Sequence, residues 1–343
     1  MLSAKTVFIV GAGASYEVGL PVGMTLKNVI AKKLDIRLDD SGSRLLSGDA
    51  YILDTILRRD RANMNVYLNS CWQIRDGIPL SPSIDDFIDA HQHDGRIAVC
   101  GKLAIAQSIL EAERSSKLFF NSTDQRGINF DGIQDTWYVD FYQLLSQKVT
   151  KESLSQIFDN VTIICFNYDR CIEHFLVHAL ATHWHISVTD SYSLVSQLKI
   201  FHPYGMVGEY LPGKVRMLPF GNEHLPSFDE VISSVRTYTE RVEAAEELAA
   251  MRHAVQDAEA LVFLGCAYHP NNMGLLLAPG VVTKTERVFA TRKGISEADL
   301  PIVEQTLAKL RGLTSSAYVH YTSHNFAQTC KDLFSDYRMA LRQ

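Results

Sequence analysis

Thr6-Val-Phe-Ile-Val10 runs into Gly11-Ala-Gly-Ala-Ser15, an apolar, β-prone stretch that stops at a turn of small residues. A continuous apolar run of this length suits a strand buried on both faces of a parallel sheet, because helices cover each face and no position needs to be polar. The turn after it opens a nucleotide-binding βα unit. Glycine at positions 11 and 13 lets the backbone bend tightly and approach a pyrophosphate, and the amino terminus of the next helix supplies N–H donors. Tyr16 stands where the usual dinucleotide fingerprint has its third glycine. Taken alone, the segment also reads as a glycine-rich strand-to-helix turn with no ligand.

Three further runs share the continuous apolar pattern: Val161 to Phe166, Ala260 to Leu264 and Arg287 to Ala290; Tyr318 to Tyr321 is a candidate last strand. Between the first strand and the second, Val99, Leu103, Ala106 and Leu110 recur at helical spacing, as do Trp137, Phe141, Leu144 and Leu145. The expected fold is α/β, a Rossmann-like parallel sheet flanked by helices. The whole chain, 1–343, reads as one domain whose core, 1–26 and 158–343, is interrupted by a helical insertion, 27–157. One amphipathic helix is expected from Phe228 to Ala258, with Glu243, Glu246 and Glu247 on a solvated face. Asp39 to Ser43 and Asn121 to Gly132 collect Ser, Asp, Asn and Gly and read as loops.

Composition narrows the function. The 343 residues are 46% hydrophobic and 21% charged, which excludes a disordered, collagen-like or disulfide-scaffold chain. Lys and Arg number 33 against 39 Asp and Glu, a formal charge of -6, so no global field draws the chain to nucleic acid or to an anionic membrane. The six cysteines, Cys71, Cys100, Cys165, Cys171, Cys266 and Cys330, form no C-x-x-C pair, so neither a zinc ribbon nor another metal site is expected. No signal-peptide arrangement and no stretch of ~20 apolar residues is readable, and a soluble, cytoplasmic protein with reduced thiols is expected.

Several side chains stand where chemistry is done. Asn167 and Asp169 follow a buried strand, at the sheet edge where open α/β folds bind ligands. An Asx turn or helix cap accounts for the same residues. His202 sits at a strand end, after Ile200-Phe201 and before Pro203 and Gly205, and an imidazole titrating near neutrality serves as a general base. His269, before Pro270, is a second candidate or a shaper of the turn after Gly265. Asn271 and Asn272 offer amides for ribose or adenine, or begin a helix. Ser15 suits either a phosphate or a helix cap. Ser83 with Asp85 and Asp86 reads as an N-cap with acids in the first turn; adjacent carboxylates on a helix do not face each other, which argues against a metal or glycosidase pair.

The motifs fall in a familiar order. Gly11-Ala-Gly-Ala-Ser15 with Gly19-Leu-Pro21 resembles the opening of the sirtuins (silent information regulator two), G-A-G-x-S-x-x-x-G-[IL]-P, whose loop cradles NAD. Phe166-Asn-Tyr-Asp169 is similar to the family's T-Q-N-x-D element and Phe201-His-Pro-Tyr-Gly205 to its L-H-G element. Met217 to Pro226 resembles its F-G-E-x-L-P loop, and Phe263-Leu-Gly-Cys-Ala267 its G-T-S turn. With Ser83 to Phe87, Ile164 to Asp169 and Leu264 to Asn272, the chain looks most like the sirtuin-like branch of bacterial antiphage defence proteins, which the resemblance implies hydrolyse NAD.

The resemblance implies an NAD site built from Gly11, Ala12, Gly13, Ser15, Pro21, Asp169, Gly265, Asn271 and Asn272. In it Asn167 would position the attacking water or a ribose hydroxyl, Asp169 would accept from the nicotinamide carboxamide, and His202 would help activate the water. Three departures from deacetylase sirtuins bear on the substrate. The zinc ribbon is absent, D-F-R is replaced by Val22-Gly-Met24, and the Thr-Ser of the G-T-S turn is Cys266-Ala267. The first two weaken an acyl-lysine peptide cleft more than NAD binding, so the expected activity is an NAD glycohydrolase yielding nicotinamide and ADP-ribose, acting in defence by NAD depletion. The alternatives are a non-hydrolysing NAD or ADP-ribose sensor and an NAD-dependent protein deacylase. A dinucleotide-dependent oxidoreductase ranks lower, because its ribose-binding acid would have to be Asp35, which helical sequence precedes. An enzyme that destroys NAD needs control, so a homo-oligomer is expected, with a separate partner such as a HerA-like hexameric ATPase or a phage-sensing subunit implied by the resemblance.

Overall fold

A computed structural model describes residues 2–121, 127–211, 217–237, 240, 245–277, 281, 283–311 and 325–342. The chain opens with β1 (Thr6–Val10), α1 (Ala12–Tyr16) and α2 (Gly23–Leu34), then a hairpin of β2 (Arg37–Leu38) and β3 (Leu45–Ser47). Helices α3 (Ala50–Asp60), α4 (Met64–Gly77), α5 (Ile84–Ala90), α6 (Gly95–Ser115) and α7 (Trp137–Ser146) lead to β4 (Val161–Cys165). Then come α8 (Cys171–Trp184), α9 (Val188–Val195), β5 (Lys199–Phe201), α10 (Phe228–Ser234), α11 (Ala245–Asp257) and β6 (Ala260–Leu264). The last elements are α12 (Pro270–Leu276), β7 (Arg287–Thr291), α13 (Leu300–Leu310), β8 (Phe326–Ala327) and α14 (Cys330–Asp336).

Six strands form one parallel sheet in the order β5-β4-β1-β6-β7-β8. Numbered among themselves along the chain, they run 3-2-1-4-5-6, the order of a doubly wound Rossmann-like sheet. Alternation within the strands sorts the core into two layers. Val7, Ile9, Ile164, Leu261 and Phe263 face one way, and Phe8, Val10, Ile163, Val262 and Leu264 the other. Both sets are buried, which is why the strands read as unbroken apolar runs.

Residues 27–157 divide between these layers. Helices α2 to α6 contribute Ile30, Ile52, Ile74 and Leu103 to the first, while α7 sends Trp137, Phe141 and Leu145 into the second. Trp137 also donates through Nε1 to the carbonyl of Ala14 (3.0 Å), fixing α7 against the first βα turn.

One expectation needs adjustment. The single helix over Phe228 to Ala258 is broken: α10 ends at Ser234, and Val235 takes an extended conformation (φ −96°, ψ 123°) to form a bridge with Gly205. The candidate strand at Tyr318 to Tyr321 lies outside the described residues, and β8 at Phe326–Ala327 pairs with β7. The loop at Asp39 to Ser43 is the turn of the β2–β3 hairpin, where Asp39 Oδ1 accepts from the backbone N–H of Ser43 (2.9 Å) and of Arg44 (3.2 Å).

Candidate functional site at the switch point of the sheet

The chain runs outward from β1 through β4 to β5, then crosses back to β6 on the other side of β1, so the crevice of the doubly wound sheet opens beyond the carboxyl ends of these strands. Two turns meet there. The Gly11 N–H donates to the carbonyl of Leu264 (2.8 Å) and the Gly13 N–H to that of Gly265 (3.0 Å). Gly265 has φ +61°, and a Cβ on it would lie 2.0 Å from the Ala14 nitrogen. A Cβ on Gly11 would lie 2.7 Å from the Gly265 oxygen, and one on Gly13 2.8 Å from its Cα. All three glycines are therefore required by the interlock of two backbone turns, a demand that exists whether or not a phosphate binds. Ala12 is the first residue of α1 and is half-buried.

Asn167, one residue beyond the end of β4 plus Phe166, is buried against this interlock. Its Nδ2 donates to the Gly11 carbonyl (3.1 Å) and to Ser15 Oγ (3.0 Å). Both amide hydrogens are thereby engaged, and no donor among the described residues reaches Oδ1. Ser15 is also buried, and its hydroxyl accepts the Asn167 amide inside the fold. Asp169 Oδ1 accepts from the Cys171 N–H (3.1 Å) at the start of α8. Burial raises the Asp169 carboxyl above its ordinary range, and the Ser15 hydroxyl and the bond from Cys171 offset this in part. The Asx-turn reading thus describes what Asp169 does here, while Arg170 stands at the N-cap of α8.

His202 follows β5, the short edge strand, and its ring is buried. Nε2 lies 2.8 Å from Glu173 Oε1, and Nδ1 lies 3.4 Å from the backbone carbonyl of Asn167. Both partners of the His202–Glu173 pair are almost fully buried. Burial acts to lower the imidazole, but the Glu173 carboxylate and Cys165 outweigh it and hold the ring well above the ordinary histidine range. Sequence reasoning missed Glu173. An acid in the first turn of a helix looks like an ordinary dipole complement; the available signal was that Glu173 is the one carboxylate in a largely apolar helix, Cys171–Trp184.

The remaining residues stand around the rim. Tyr168 donates its hydroxyl to Asp85 on α5, while Ser83 caps that helix by accepting from the Asp86 N–H (3.0 Å). Burial, reinforced by Asp89 and Asp86, pushes the Asp85 carboxyl up to about 6 although the Tyr168 bond acts the other way. His269 Nε2 lies 3.9 Å from Asp86 Oδ2. The first turn of α5 thus touches the loop after β4 and the loop after β6. Asn272 on α12 accepts from the Tyr204 hydroxyl (2.7 Å), two residues beyond His202. Asn271 is half-buried beside it, and Pro21 is half-buried in the connection from α1 to α2.

A buried ion pair anchors the loop opposite. Glu113 on α6 and Arg170 ahead of α8, both with fully buried side chains, meet at 2.5 Å. Arg170 also donates to the carbonyls of Leu218 (2.6 Å) and Pro219 (3.1 Å), and Glu113 accepts from the Gly221 N–H (2.9 Å). Asp35 is far from this chemistry: it caps α2 and pairs with Arg37 (3.0 Å) and Arg75 (2.5 Å), and the strand after it belongs to the separate hairpin.

No family model, curated protein or solved structure matches the chain. Among the described residues no group of three or more His, Cys, Asp or Glu is arranged to hold a metal ion, and no helix is long and apolar enough to cross a membrane.

Proposed function

We propose that the chain is a sirtuin-like NAD glycohydrolase that cleaves NAD to nicotinamide and ADP-ribose, with an antiphage role by NAD depletion. The observation that carries this reading is the setting of Asn167. Its amide is clamped at the switch point by Gly11 and Ser15 with no donor among the described residues at Oδ1, as a group that receives a ribose hydroxyl or a water must be. In the reaction the bond between C1′ of the ribose and the nicotinamide nitrogen breaks, and its electron pair leaves with nicotinamide. The oxygen of a water joins C1′ and a proton is released. The oxocarbenium-like centre needs little nucleophilic push, so placing the water and holding the ribose account for most of what the protein supplies.

Asn167 is the residue assigned to the water or ribose hydroxyl. Ser15 holds it from within rather than meeting phosphate itself, and Asp169 is engaged by the Cys171 N–H rather than by a carboxamide. The oxidoreductase reading has no acid to bind the ribose, since Asp35 is engaged by two arginines. A non-hydrolysing sensor is the second reading, favoured by one observation: both nitrogens of His202 face protein oxygens, so neither is presented as a base. Nicotinamide release from NAD, with an acetylated peptide in a parallel tube, separates these. Peptide-independent release lost in Asn167→Ala is expected; NAD binding without release points to the sensor, and release only with peptide to a deacylase.

A further inference from the structure

We propose that a half-open cavity between the carboxyl ends of α4 and α5 and the start of α6 is a second small-molecule site, taking a flat nitrogen heterocycle that carries amino or amide N–H groups. It stands apart from the crevice at the switch point and does not depend on what that crevice binds.

The cavity has a volume of about 390 Å³, and Gln73, Gly77, Phe87, His91, His93 and Asp94 are among the residues that line it. Clefts that hold small ligands run from about 300 to 1,000 Å³. One wall is aromatic and rigid. A Cβ on Gly77 would lie 2.5 Å from Cε2 of Phe87, so glycine is what lets that ring lie flush against α4. The Phe87 ring stacks on His91, with centroids 4.3 Å apart and planes at 25°. His91 Nδ1 lies 2.8 Å from the Phe87 carbonyl. A carbonyl only accepts, so Nδ1 carries the hydrogen and Nε2 of the neutral ring keeps a lone pair. The stacked pair thus offers a flat face with an acceptor on its edge.

The polar groups agree in kind. Asp94 Oδ1 caps α6 by accepting from the Arg96 N–H (3.0 Å), and the other oxygen has no donor among the described residues. Gln73 and His93 are exposed, with no side-chain hydrogen bond among the described residues, and the His93 ring lies 6.1 Å from that of His91. Acceptors prevail: a carboxylate oxygen, an imidazole lone pair and the Gln73 carbonyl. A ligand satisfies them by bringing N–H donors on a planar ring, and Asp94 opposes an anionic group set beside it. Adenine with its amino group and nicotinamide with its carboxamide share this chemistry. In the first turn of α5, by contrast, Asp85 and Asp86 reach Tyr168 and His269 at the crevice rim, so the two sites lie toward opposite ends of one helix.

The experiment is an NMR titration of the full chain at about pH 8, where an ordinary imidazole is neutral. The probes are adenosine and nicotinamide, each beside an analogue that removes the donor: purine riboside, which lacks the amino group, and nicotinic acid, which carries a carboxylate. Ring signals of His91 and His93 are assigned by their absence in His91→Gln and His93→Gln. The expected result is saturable binding of at least one probe that shifts both ring signals, with its analogue bound at least about fivefold more weakly, the worth of one hydrogen bond. Gln73→Ala, at an exposed position, and Asp94→Asn, which still caps α6, are each expected to weaken binding about fivefold. Asn167→Ala is expected to leave it unchanged.

Binding of adenosine alone assigns a nucleobase, and of nicotinamide alone a carboxamide-bearing ring. No binding of either probe up to about 10 mM overturns the proposal. Binding that leaves both ring signals in place, or that is unaffected in both cavity variants, overturns it by locating the probe elsewhere, and equal binding of the analogues overturns the assigned chemistry. No arm uses NAD turnover, so failure of the glycohydrolase reading leaves this result standing.

Discussion

Removing Glu113 tests how the loop at residues 218–221 is held. In Glu113→Ala the Arg170 guanidinium, fully buried, loses its only carboxylate among the described contacts: Oε1 accepts from Arg170 N (3.1 Å) and Nε (3.1 Å), and Oε2 from Nη2 (2.5 Å) and from the Gly221 N–H (2.9 Å). Four bonds to a charged acceptor at about 1.5–3 kcal/mol each would sum to about 6–12 kcal/mol, but they share one desolvation cost and do not add. Stranding one partner of a buried pair costs about 3–5 kcal/mol, which sets the expected loss. That is about two to four orders of magnitude in the unfolding constant.

Urea unfolding followed by tryptophan fluorescence reads it, since Trp137 is buried between the sheet and the first βα turn. The double variant Glu113→Leu with Arg170→Met strands no charge and is expected to lose less than Glu113→Ala alone. A loss below about 1 kcal/mol in Glu113→Ala would place the pair in the class of surface ion pairs and refute the reasoning. A double variant less stable than the single would refute it equally.

Three further outcomes follow from the packing of single residues. Gly265→Ala puts a methyl 2.0 Å from the Ala14 nitrogen at φ +61°, where only backbone can move; it is expected to lose soluble yield and at least about 3 kcal/mol, whereas Gly274→Ala, with open space around it on a helix, gains a few tenths to about 1 kcal/mol. Ser15→Ala releases the Asn167 amide, and nicotinamide release is expected to fall about 100-fold with the circular dichroism spectrum unchanged; a fall below threefold would remove Ser15 from the site. Asp85 binds its proton more tightly folded than unfolded, so its contribution to stability is present below the ordinary aspartate range and lost as pH rises through about 6. Asp85→Asn is therefore expected to stabilise at pH 7.5 by about 2 kcal/mol at most, because the side chain keeps part of its surface in water, and to change little at pH 4; denaturation midpoints at both pH values check the sign.

The fold was legible where burial is complete. β1, β4, β6 and β7 are covered on both faces, so no alternation interrupts them and their limits are close to those read from the residues. Of the two edge strands, β5, Lys199–Phe201, was legible only as the strand end ahead of His202, and β8, Phe326–Ala327, was not legible, both being too short to carry a pattern. The division of residues 27–157 between the layers was equally hidden, since periodicity reports that a helix has an apolar face and not which face of the sheet it meets. At the site, Asn167, Ser15 and Gly265 come together as their spacing after strands suggests. The partners of His202 and Tyr168 come from elsewhere, Glu173 from a helix and Asp85 from the far helical segment, and such long-range pairings leave no mark on local sequence.

The interlock of Gly11, Gly13 and Gly265 has a bearing on biosynthesis. Cys266 Sγ contacts the carbonyl of Ile9 across 257 positions, so the floor of the crevice joins one segment with another that is synthesised long after it. Asn167 adds a third contribution from mid-chain, its amide resting on Gly11 from 156 positions away. Helices of the first half can close locally long before this, because contacts at short separation form first and those at long separation wait for the loop between them to close. A nascent chain therefore has its glycine turn without the backbone that shapes it, and an activity lodged there is withheld until the sheet is whole.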